Sequence, residues 1–263
     1  MTSDTKHYGH FQKVNNLNIY YELYETNHNN TLVLLHGGGS TIKSTFGRIL
    51  PLLIKTHKII AIELQAHGHT SDIDRPLSFE QDADDVFELL KILNFPKVNI
   101  MGFSNGGTTS LQIAIRHPEI VNKLILASTT FKRNGMQPEF WENMHNASID
   151  NMPQSLKDAY LEANPDIKGL EAMFMRDLNR MIAFKDINEK DIKNIQAPTL
   201  VINGDTEVVM TEHALLLSHL LPHGHITILP AGHGEYIGEI SATDKKSKMP
   251  VFVVDIIEEF LKI

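Results

Sequence analysis

The stretch GFSNGG at residues 102–107 follows directly on the apolar run VNIM at 98–101. Short continuous apolar runs are typical of strands that are buried on both faces of a parallel sheet. The residues after Ser104 favour a helix that ends near Pro118, because proline cannot continue a helix. The stretch therefore predicts a strand, a sharp turn that carries the serine, and a helix. Ordinary turns also match Gly-x-Ser-x-Gly, so the weight of the pattern depends on this context.

Strand-like runs and helical segments alternate along the rest of the chain. NIYYELYE at 18–25 alternates as an antiparallel strand does. The other apolar runs of buried-strand length are TLVLLHGGG, HKIIAIEL, NKLILAST, PTLVINGD and HITILPAGH. A capping box formed by Ser78 and Gln81 opens one helix, and another follows Pro250. This alternation predicts an α/β fold with a mostly parallel central sheet flanked by helices.

Residues 131–196 interrupt this alternation, because they contain no strand-like run and predict several short helices with loops. We interpret them as a small helical cap inserted before the penultimate core strand, with 1–130 and 197–263 forming the core. The cap holds the only tryptophan of the chain, Trp141, and six of its ten methionines: Met136, Met144, Met152, Met173, Met175 and Met181. Such side chains either pack the helices together or line a substrate pocket, and the sequence leaves both roles open.

Composition restricts the class of function. The 24 Lys and Arg residues against 32 Asp and Glu give a formal net charge of −8, which disfavours a nucleic-acid partner. The absence of cysteine excludes a disulfide, a thiol nucleophile and a thiolate metal site. The amino terminus lacks the segments of a secretory signal, and no apolar run approaches the ~20 residues of a membrane span. We therefore expect a cytoplasmic protein with a small-molecule substrate and no membrane partner, of open oligomeric state.

The turn at 102–107 suits a nucleophilic serine, because glycine neighbours leave room where a strand turns sharply into a helix. A serine hydroxyl needs a base to take its proton and an acid to orient that base. ILPAGHGEY supplies His233, and PTLVINGDTEVV supplies Asp205 and Glu207. Both segments follow apolar runs, and the carboxyl ends of parallel strands are where α/β sheets place their sites. Ser104 is thus the predicted nucleophile and His233 its base, with the two acids as alternatives.

An oxyanion hole requires backbone or side-chain donors near the nucleophile. The glycines of HGGG at 36–39 follow a predicted strand and leave backbone amides free of side-chain obstruction. We predict that the amides of Gly38 and Asn105 bind the oxyanion. We also expect contacts with substrate from four further residues: Gly37, Phe103, Trp141 and Met144.

Together these motifs resemble the α/β-hydrolase fold superfamily, and in particular its esterase-like serine hydrolases. The similarity extends over nearly the whole chain, through LLHGGG, AIELQAHGHTSD, GFSNGG, INGDTE and PAGHG. In that family the acid stands at the last position of Gly-x-x-Asp, which is Glu207 here, so the resemblance favours Glu207 over Asp205. It also implies that no cofactor is needed. Ser104 at the nucleophile position disfavours the aspartate-nucleophile branches, which are dehalogenases and epoxide hydrolases.

The segment AIELQAHGHTSD departs from the family's Asp-x-x-Gly-His-Gly-x-Ser pattern, because Glu63 and Ala66 replace the aspartate and the first glycine. In the family this loop is mainly structural, so we expect His67 to pack and hydrogen-bond rather than catalyse. A metal site at His67 and His69, or at the pair His223 and His225, is disfavoured because neither stretch supplies a complete ligand set.

The sequence therefore predicts a serine hydrolase that acts by acyl transfer on a small or medium, apolar carboxylic ester. Two alternatives stay open. The same triad could serve hydrolysis of a carbon–carbon bond or perhydrolysis, and some proteins of this fold are small-molecule receptors with little turnover.

Overall fold

A single eight-stranded sheet forms the centre of the described chain, which comprises residues 6–26, 28 and 30–262 of the computed structural model. Its strands are β1 (Lys6–Val14), β2 (Leu17–Glu25), β3 (Thr31–Leu35), β4 (Lys58–Ile62), β5 (Val98–Phe103), β6 (Val121–Ala127), β7 (Thr199–Gly204) and β8 (Gly224–Leu229). The predicted core ranges also include residues 1–5, 27, 29 and 263, which lie outside the described residues.

The helices of the described chain are α1 (Ile42–Phe46), α2 (Leu50–Leu53), α3 (Phe79–Ile92), α4 (Asn105–Arg116), α5 (Pro138–His145), α6 (Gln154–Ala163), α7 (Ile167–Ile182), α8 (Glu189–Lys193), α9 (Thr211–Leu220) and α10 (Met249–Lys262). Short 3₁₀ turns lie at Pro118–Ile120, Arg133–Gly135 and Ile149–Asn151. None of these helices is long and apolar enough to cross a membrane. The Ser78 side chain accepts from the Gln81 amide at 3.1 Å and caps α3. The Gln81 side chain donates to Asp85 instead of closing the predicted capping box.

The strands lie in the order β1-β2-β4-β3-β5-β6-β7-β8. β1 and β2 run antiparallel, as do β2 and β4, and every pair from β4 onward is parallel. The prediction of a mostly parallel α/β sheet is confirmed. The strand order reverses at β3, which lies between β4 and β5. Such a reversal leaves a crevice outside the carboxyl ends of the two neighbouring strands, where ligands bind in open α/β sheets.

The two faces of the sheet carry separate apolar layers, because successive side chains of a strand point to opposite faces. In β3, Val33 and Leu35 pack with α3, α4 and α9, whereas Leu32 and Leu34 pack with α1, α2 and α10. All four side chains are fully buried. This two-sided burial explains why the parallel strands read as continuous apolar runs in the sequence.

The hairpin of β1 and β2 includes a strand that the sequence interpretation does not contain. The two strands pair from Lys6↔Glu25 to Val14↔Leu17, and Asn15 and Asn16 turn the chain with φ of 47° and 70°. Two consecutive residues with positive φ make the type I′ turn of a tight hairpin, and asparagine tolerates that region. The Asn-Asn pair is thus the sequence signal for β1.

The segment between β6 and β7 is helical, and we keep the name cap for residues 131–196. Not all of it stands apart from the core. Phe131, Ile187, Ile192 and Ile195 are buried in the same apolar layer as α3 and α4. Side chains at both ends of residues 131–196 thus pack with the core layer, and α5, α6 and α7 lie between them; we call these three helices the helical body of the cap.

Candidate active site

Ser104 occupies a strained turn between β5 and α4. Its backbone lies at φ 54° and ψ −119°, a region that residues other than glycine rarely adopt. The Ser104 amide donates to the carbonyl of Ala127 in β6 at 2.8 Å, which fixes the turn against the neighbouring strand. Because α4 begins at the next residue, the serine stands at the positive end of a helix.

Close backbone approach explains the glycines around this serine. A Cβ at Gly102 would collide with the carbonyl oxygen of Gly106, and a Cβ at Gly106 would collide with the carbonyl oxygen of Leu35. Side chains at either position would force the helix start away from β3 and β5. The glycines are therefore a steric requirement of the turn.

His233 lies in the loop after β8 and is held by Glu207 from the loop after β7. The distance from His233 Nδ1 to Glu207 Oε2 is 2.7 Å. The carboxylate is almost fully buried, with 1% of its side chain exposed, whereas 34% of the imidazole is exposed. Since a carboxylate only accepts, Nδ1 carries the proton and Nε2 keeps a free lone pair. The exposed ring can therefore accept a proton at Nε2.

Asp205, the alternative acid, bonds the backbone of the loop after β8 and not the His233 side chain. Its Oδ1 accepts from the amide of Ala231 at 3.1 Å, and its own amide donates to the carbonyl of Leu229 at 2.8 Å. The side chain is exposed. Asp205 thus ties the loop after β7 to the loop after β8, while the structure brings Glu207 to the histidine.

A second layer of hydrogen bonds surrounds Glu207, and sequence reasoning missed it. The Ser128 hydroxyl donates to Glu207 Oε1, and it lies 2.5 Å from the hydroxyl of Tyr236. The amide of Val208 donates to Oε2 at 3.2 Å. Ser128 follows β6 at the same sheet edge as Ser104 and has φ 50°. The polar residues that end the run NKLILAST are the only sequence signal for this role.

The charge of Glu207 controls the protonation of His233. Burial of the imidazole lowers its pKa, but the charge of Glu207, its hydrogen bond and the more distant charge of Glu239 outweigh that effect. The result is a pKa of His233 above its ordinary value. A base with a raised pKa holds a transferred proton more firmly.

The loop after β3 brings Gly38 beside Asn105. A Cβ at Gly38 would collide with the side-chain amide nitrogen of Asn105 and would lie 3.2 Å from Asp177 Oδ2. The backbone amide of Gly38 donates no hydrogen bond to any part of the chain that the structure describes. Asn105 is the first residue of α4, so its amide has no partner four residues earlier in the helix. Two backbone donors thus remain free beside Ser104.

A cavity of about 470 Å³ lies above these groups. Its floor includes Gly38, Ser104, Asn105 and His233. Most of its wall comes from the cap, in particular from apolar side chains: Phe140, Met144, Ala147, Met152, Pro153, Leu156, Met173, Phe174, Leu178 and Met181. Neither lysine nor arginine lines it, and its acidic lining residue is Asp177. The cavity is therefore mainly apolar, with polar groups at the serine and a second polar set on the cap side: Asn143, Asn146, Ser148 and Asn151.

The residues predicted to contact substrate divide into two groups. Met144 lines the cavity, whereas Gly37, Phe103 and Trp141 do not. The Phe103 side chain is buried, with its ring centre 4.8 Å from that of His233. Trp141 donates to the carbonyl of Arg133 at 2.7 Å and packs within the cap. Tertiary packing thus directs these two aromatic side chains away from the cavity.

The histidines considered for a metal site take part in other contacts. His69 Nδ1 lies 2.9 Å from Glu63 Oε2, and His67 Nε2 lies 2.9 Å from Asp177 Oδ2. Among the residues that the structure describes, no three His, Asp or Glu side chains are arranged to hold a metal ion.

Comparison with known proteins shows which family this chain belongs to. The family model of the alpha/beta hydrolase fold matches residues 30–166, which is more than half of the chain. The chain belongs to the α/β-hydrolase family. The matched residues include both the glycine-rich loop after β3 and the turn that carries Ser104.

Proteins similar to this chain include an uncharacterized hydrolase and hydrolases of dienoic acids. The uncharacterized hydrolase YugF of Bacillus subtilis is 34% identical over 75% of this chain and 80% of its own. A 2-hydroxy-6-oxo-6-(2'-aminophenyl)hexa-2,4-dienoic acid hydrolase of Metapseudomonas resinovorans is 25% identical over 77% of each chain. The solved structure of a 2-hydroxy-6-oxo-6-phenylhexa-2,4-dienoate hydrolase from Rhodococcus sp. strain RHA1 covers 98% of this chain and 100% of that one, with a TM-score of 0.78 at 18% identity. The similarity to that solved structure supports the fold of this chain but does not identify a substrate.

Proposed function

We propose that this α/β hydrolase is a serine hydrolase that acts by acyl transfer on a neutral, small or medium, apolar carboxylic ester. The observation that carries the proposal is one apolar cavity that contains Ser104, the exposed edge of His233 and two free backbone amides. These are the groups that ester hydrolysis requires: a nucleophile, a base and an oxyanion hole.

The proposed mechanism begins with attack of Ser104 Oγ on the ester carbonyl carbon. His233 Nε2 takes the hydroxyl proton, and Glu207 stabilises the resulting imidazolium through the bond at Nδ1. The amides of Gly38 and Asn105 donate to the oxyanion. The imidazolium then returns its proton to the leaving alcohol, and the carbon–oxygen bond of the ester breaks. A water molecule, activated by the same histidine, hydrolyses the acyl-enzyme and releases the acid.

The lining of the cavity supports a neutral substrate. A buried carboxylate on the substrate would need a positive partner, since an unpaired charge in an apolar site is costly. Lysine and arginine are both absent from the lining, so neither side chain is available to pair with a substrate carboxylate. By contrast, the two dienoic acid hydrolases described above are named for acidic substrates. This difference favours ester hydrolysis over hydrolysis of a carbon–carbon bond in such acids. Carbon–carbon bond hydrolysis remains the second candidate function because of those relatives.

A fluorophosphonate probe tests whether Ser104 is an activated nucleophile. We expect labelling of the wild-type protein at Ser104, located by mass spectrometry of the modified peptide, and no labelling of Ser104→Ala. Well-folded wild-type protein that resists the probe would contradict the proposed nucleophile and favour a ligand-binding protein with little turnover.

A matched pair of substrates tests the proposed substrate class. p-Nitrophenyl hexanoate and the p-nitrophenyl monoester of adipic acid differ in the charge at the end of an acyl chain of equal carbon number. We expect kcat/KM for the neutral ester to be higher by about tenfold or more, because the acid loses hydration without gaining a partner. Equal values, or faster turnover of a dienoic acid, would contradict the proposed substrate class.

A further inference from the structure

Asp177 is a buried carboxylate at the active-site cavity that the mechanism above does not use. It lies on α7, in the helical body of the cap, and 13% of its side chain is exposed. Its Oδ2 nevertheless accepts from the backbone amide of Gly39 in the core at 2.6 Å. Gly39 and Asp177 are 138 residues apart, so this bond exists only when the cap is seated on the core.

A cluster of compensating charges holds this carboxylate in place. Asp177 Oδ2 also lies 2.9 Å from His67 Nε2, and Oδ1 accepts from Arg180 one turn along α7. Arg180 in turn donates to Asp82 of α3 at 2.7 Å. Both carboxylate oxygens of Asp177 are thus occupied, and the cluster joins the cap to three separate segments of the core: the loop after β3, the loop after β4 and helix α3.

The bonds of His67 define its charge. Its Nδ1 lies 2.8 Å from the carbonyl oxygen of Gln65, and its Nε2 faces the carboxylate of Asp177. Both partners only accept, so both ring nitrogens donate and the ring is an imidazolium. Burial lowers the pKa of His67, but Asp177 outweighs that effect and raises it above its ordinary value. The pKa of Asp177 is correspondingly lowered, by Arg180 and His67 against the effect of burial.

In the glycine-rich loop after β3, which we call the oxyanion loop, the amide of Gly39 is a second backbone donor next to the predicted donor Gly38. Gly39 has φ +66°, and its amide points to Asp177. The Gly38 position itself lies between the side chains of Asn105 and Asp177. We propose that Asp177 is a positioning residue that fixes the oxyanion loop through the Gly39 amide, so that the oxyanion hole is complete only when the cap is seated. This inference rests on the proposed function.

The chain offers a matched control on the same helix. Arg176 also joins α7 to the core, through Asp72 at 2.6 Å and through the carbonyl oxygens of Ile73 and Arg75 at 2.9 and 2.6 Å. None of these partners belongs to the oxyanion loop. Arg176→Ala therefore removes contacts between α7 and the core but keeps the carboxylate that accepts from the Gly39 amide.

The first readout is the rate of Ser104 phosphonylation by a fluorophosphonate. We expect Asp177→Ala to lower the second-order rate constant by about tenfold or more, since loss of a single oxyanion donor lowers kcat by about 10²–10³. We expect kcat for p-nitrophenyl butanoate to fall in parallel while KM stays within about twofold, because the loop acts on the developing charge. Arg176→Ala should leave the labelling rate within about twofold of the wild type. Equal rates for Asp177→Ala and wild type, or equal losses in both variants, would overturn the proposal.

The second readout is hydrogen–deuterium exchange of the peptide that contains Gly39, which needs no activity. We expect faster exchange in Asp177→Ala than in wild type and Arg176→Ala, and unchanged exchange would overturn the proposal. Should Asp177→Ala fail to fold, Asp177→Asn keeps the shape, but its single oxygen cannot accept from both Gly39 and Arg180, so we expect smaller changes in the same direction. If the wild type is not labelled, the proposed function fails, and the exchange experiment alone decides whether Asp177 restrains the loop.

Discussion

His233 Nδ1 and Glu207 Oε2 lie 2.7 Å apart, although they belong to loops that follow two different strands. β7 and β8 are parallel neighbours, and their register pairs Gly204 with Leu229. The two loops therefore start side by side at the same edge of the sheet. Side chains in them can reach each other without a long loop. The imidazole of His233 is partly exposed at the cavity, whereas the carboxylate of Glu207 is buried toward the core.

Removal of either reacting group should abolish turnover. We expect Ser104→Ala and His233→Ala each to lower kcat by a factor on the order of 10⁵–10⁶, because members of a triad act as a unit. Ester hydrolysis measures the loss, and circular dichroism with thermal unfolding checks that the fold remains. A variant of either residue that keeps a tenth of wild-type activity would contradict the proposed roles.

The two candidate acids make a matched pair of variants. We expect Glu207→Gln to lower kcat by about 10⁴-fold, since an amide in this position no longer stabilises the imidazolium or fixes its tautomer. Asp205→Asn should keep kcat within a few-fold of the wild type, because the exposed Asp205 contacts the backbone of Ala231 and not His233. The reverse order of the two losses would assign the acid to Asp205.

The raised pKa of His233 predicts the acid limb of the pH profile. The base must be neutral to accept the serine proton, so activity is lost as the pH falls through the pKa of the folded protein. Because Glu207 raises that pKa above the ordinary value of about 6.5, we expect the midpoint of kcat/KM to lie above pH 6.5. The residual activity of Glu207→Gln should show a midpoint at lower pH. A midpoint of wild type below 6.5 would contradict the assignment of the pair.

Ser128 should support the orientation of Glu207. We expect Ser128→Ala to lower kcat by about tenfold or more without a comparable change in KM, because a buried carboxylate loses a hydrogen bond worth about 1.5–3 kcal/mol. Thr130→Ala serves as the control, since its hydroxyl donates to the carbonyl of Lys132 and not to the acid. Steady-state kinetics on both variants distinguishes the roles. Equal kcat values in the two variants would remove Ser128 from the support of the site.

The ion pair of His67 with Asp177 predicts a pH-dependent stability. The folded pKa of His67 is raised, so the stabilisation is fully present below about pH 6.5 and is lost as the pH rises through the folded pKa. Arg180 opposes the charge of His67 in part. The pKa of His36 is lowered to about 3, so His36 is neutral between pH 6 and 9. The carboxyl group of Asp82 also interacts with the charge of His67. We expect the difference in Tm between wild type and His67→Gln to be larger at pH 6 than at pH 9. A constant difference would show that His67 is neutral in the folded protein.

Local sequence determines much of this protein. The glycines of GFSNGG permit the turn at Ser104 because of the close backbone approach at Gly102 and Gly106. The apolar runs predict the parallel strands because β3 to β7 are buried on both faces. The order of serine, acid and histidine along the chain follows from these strands, since each residue comes directly after one. Sequence alone therefore identifies the fold and the candidate nucleophile and base.

Tertiary structure decides what depends on contacts between distant segments. The choice between Asp205 and Glu207 depends on which side chain the loop after β7 turns toward His233. The orientation of Trp141 away from the cavity depends on how the cap helices pack. The bond between Asp177 and Gly39 joins residues 138 positions apart, and no local pattern encodes it. Periodicity and turn chemistry act over a few residues, whereas the groups that complete this site are brought together only when the cap packs on the core.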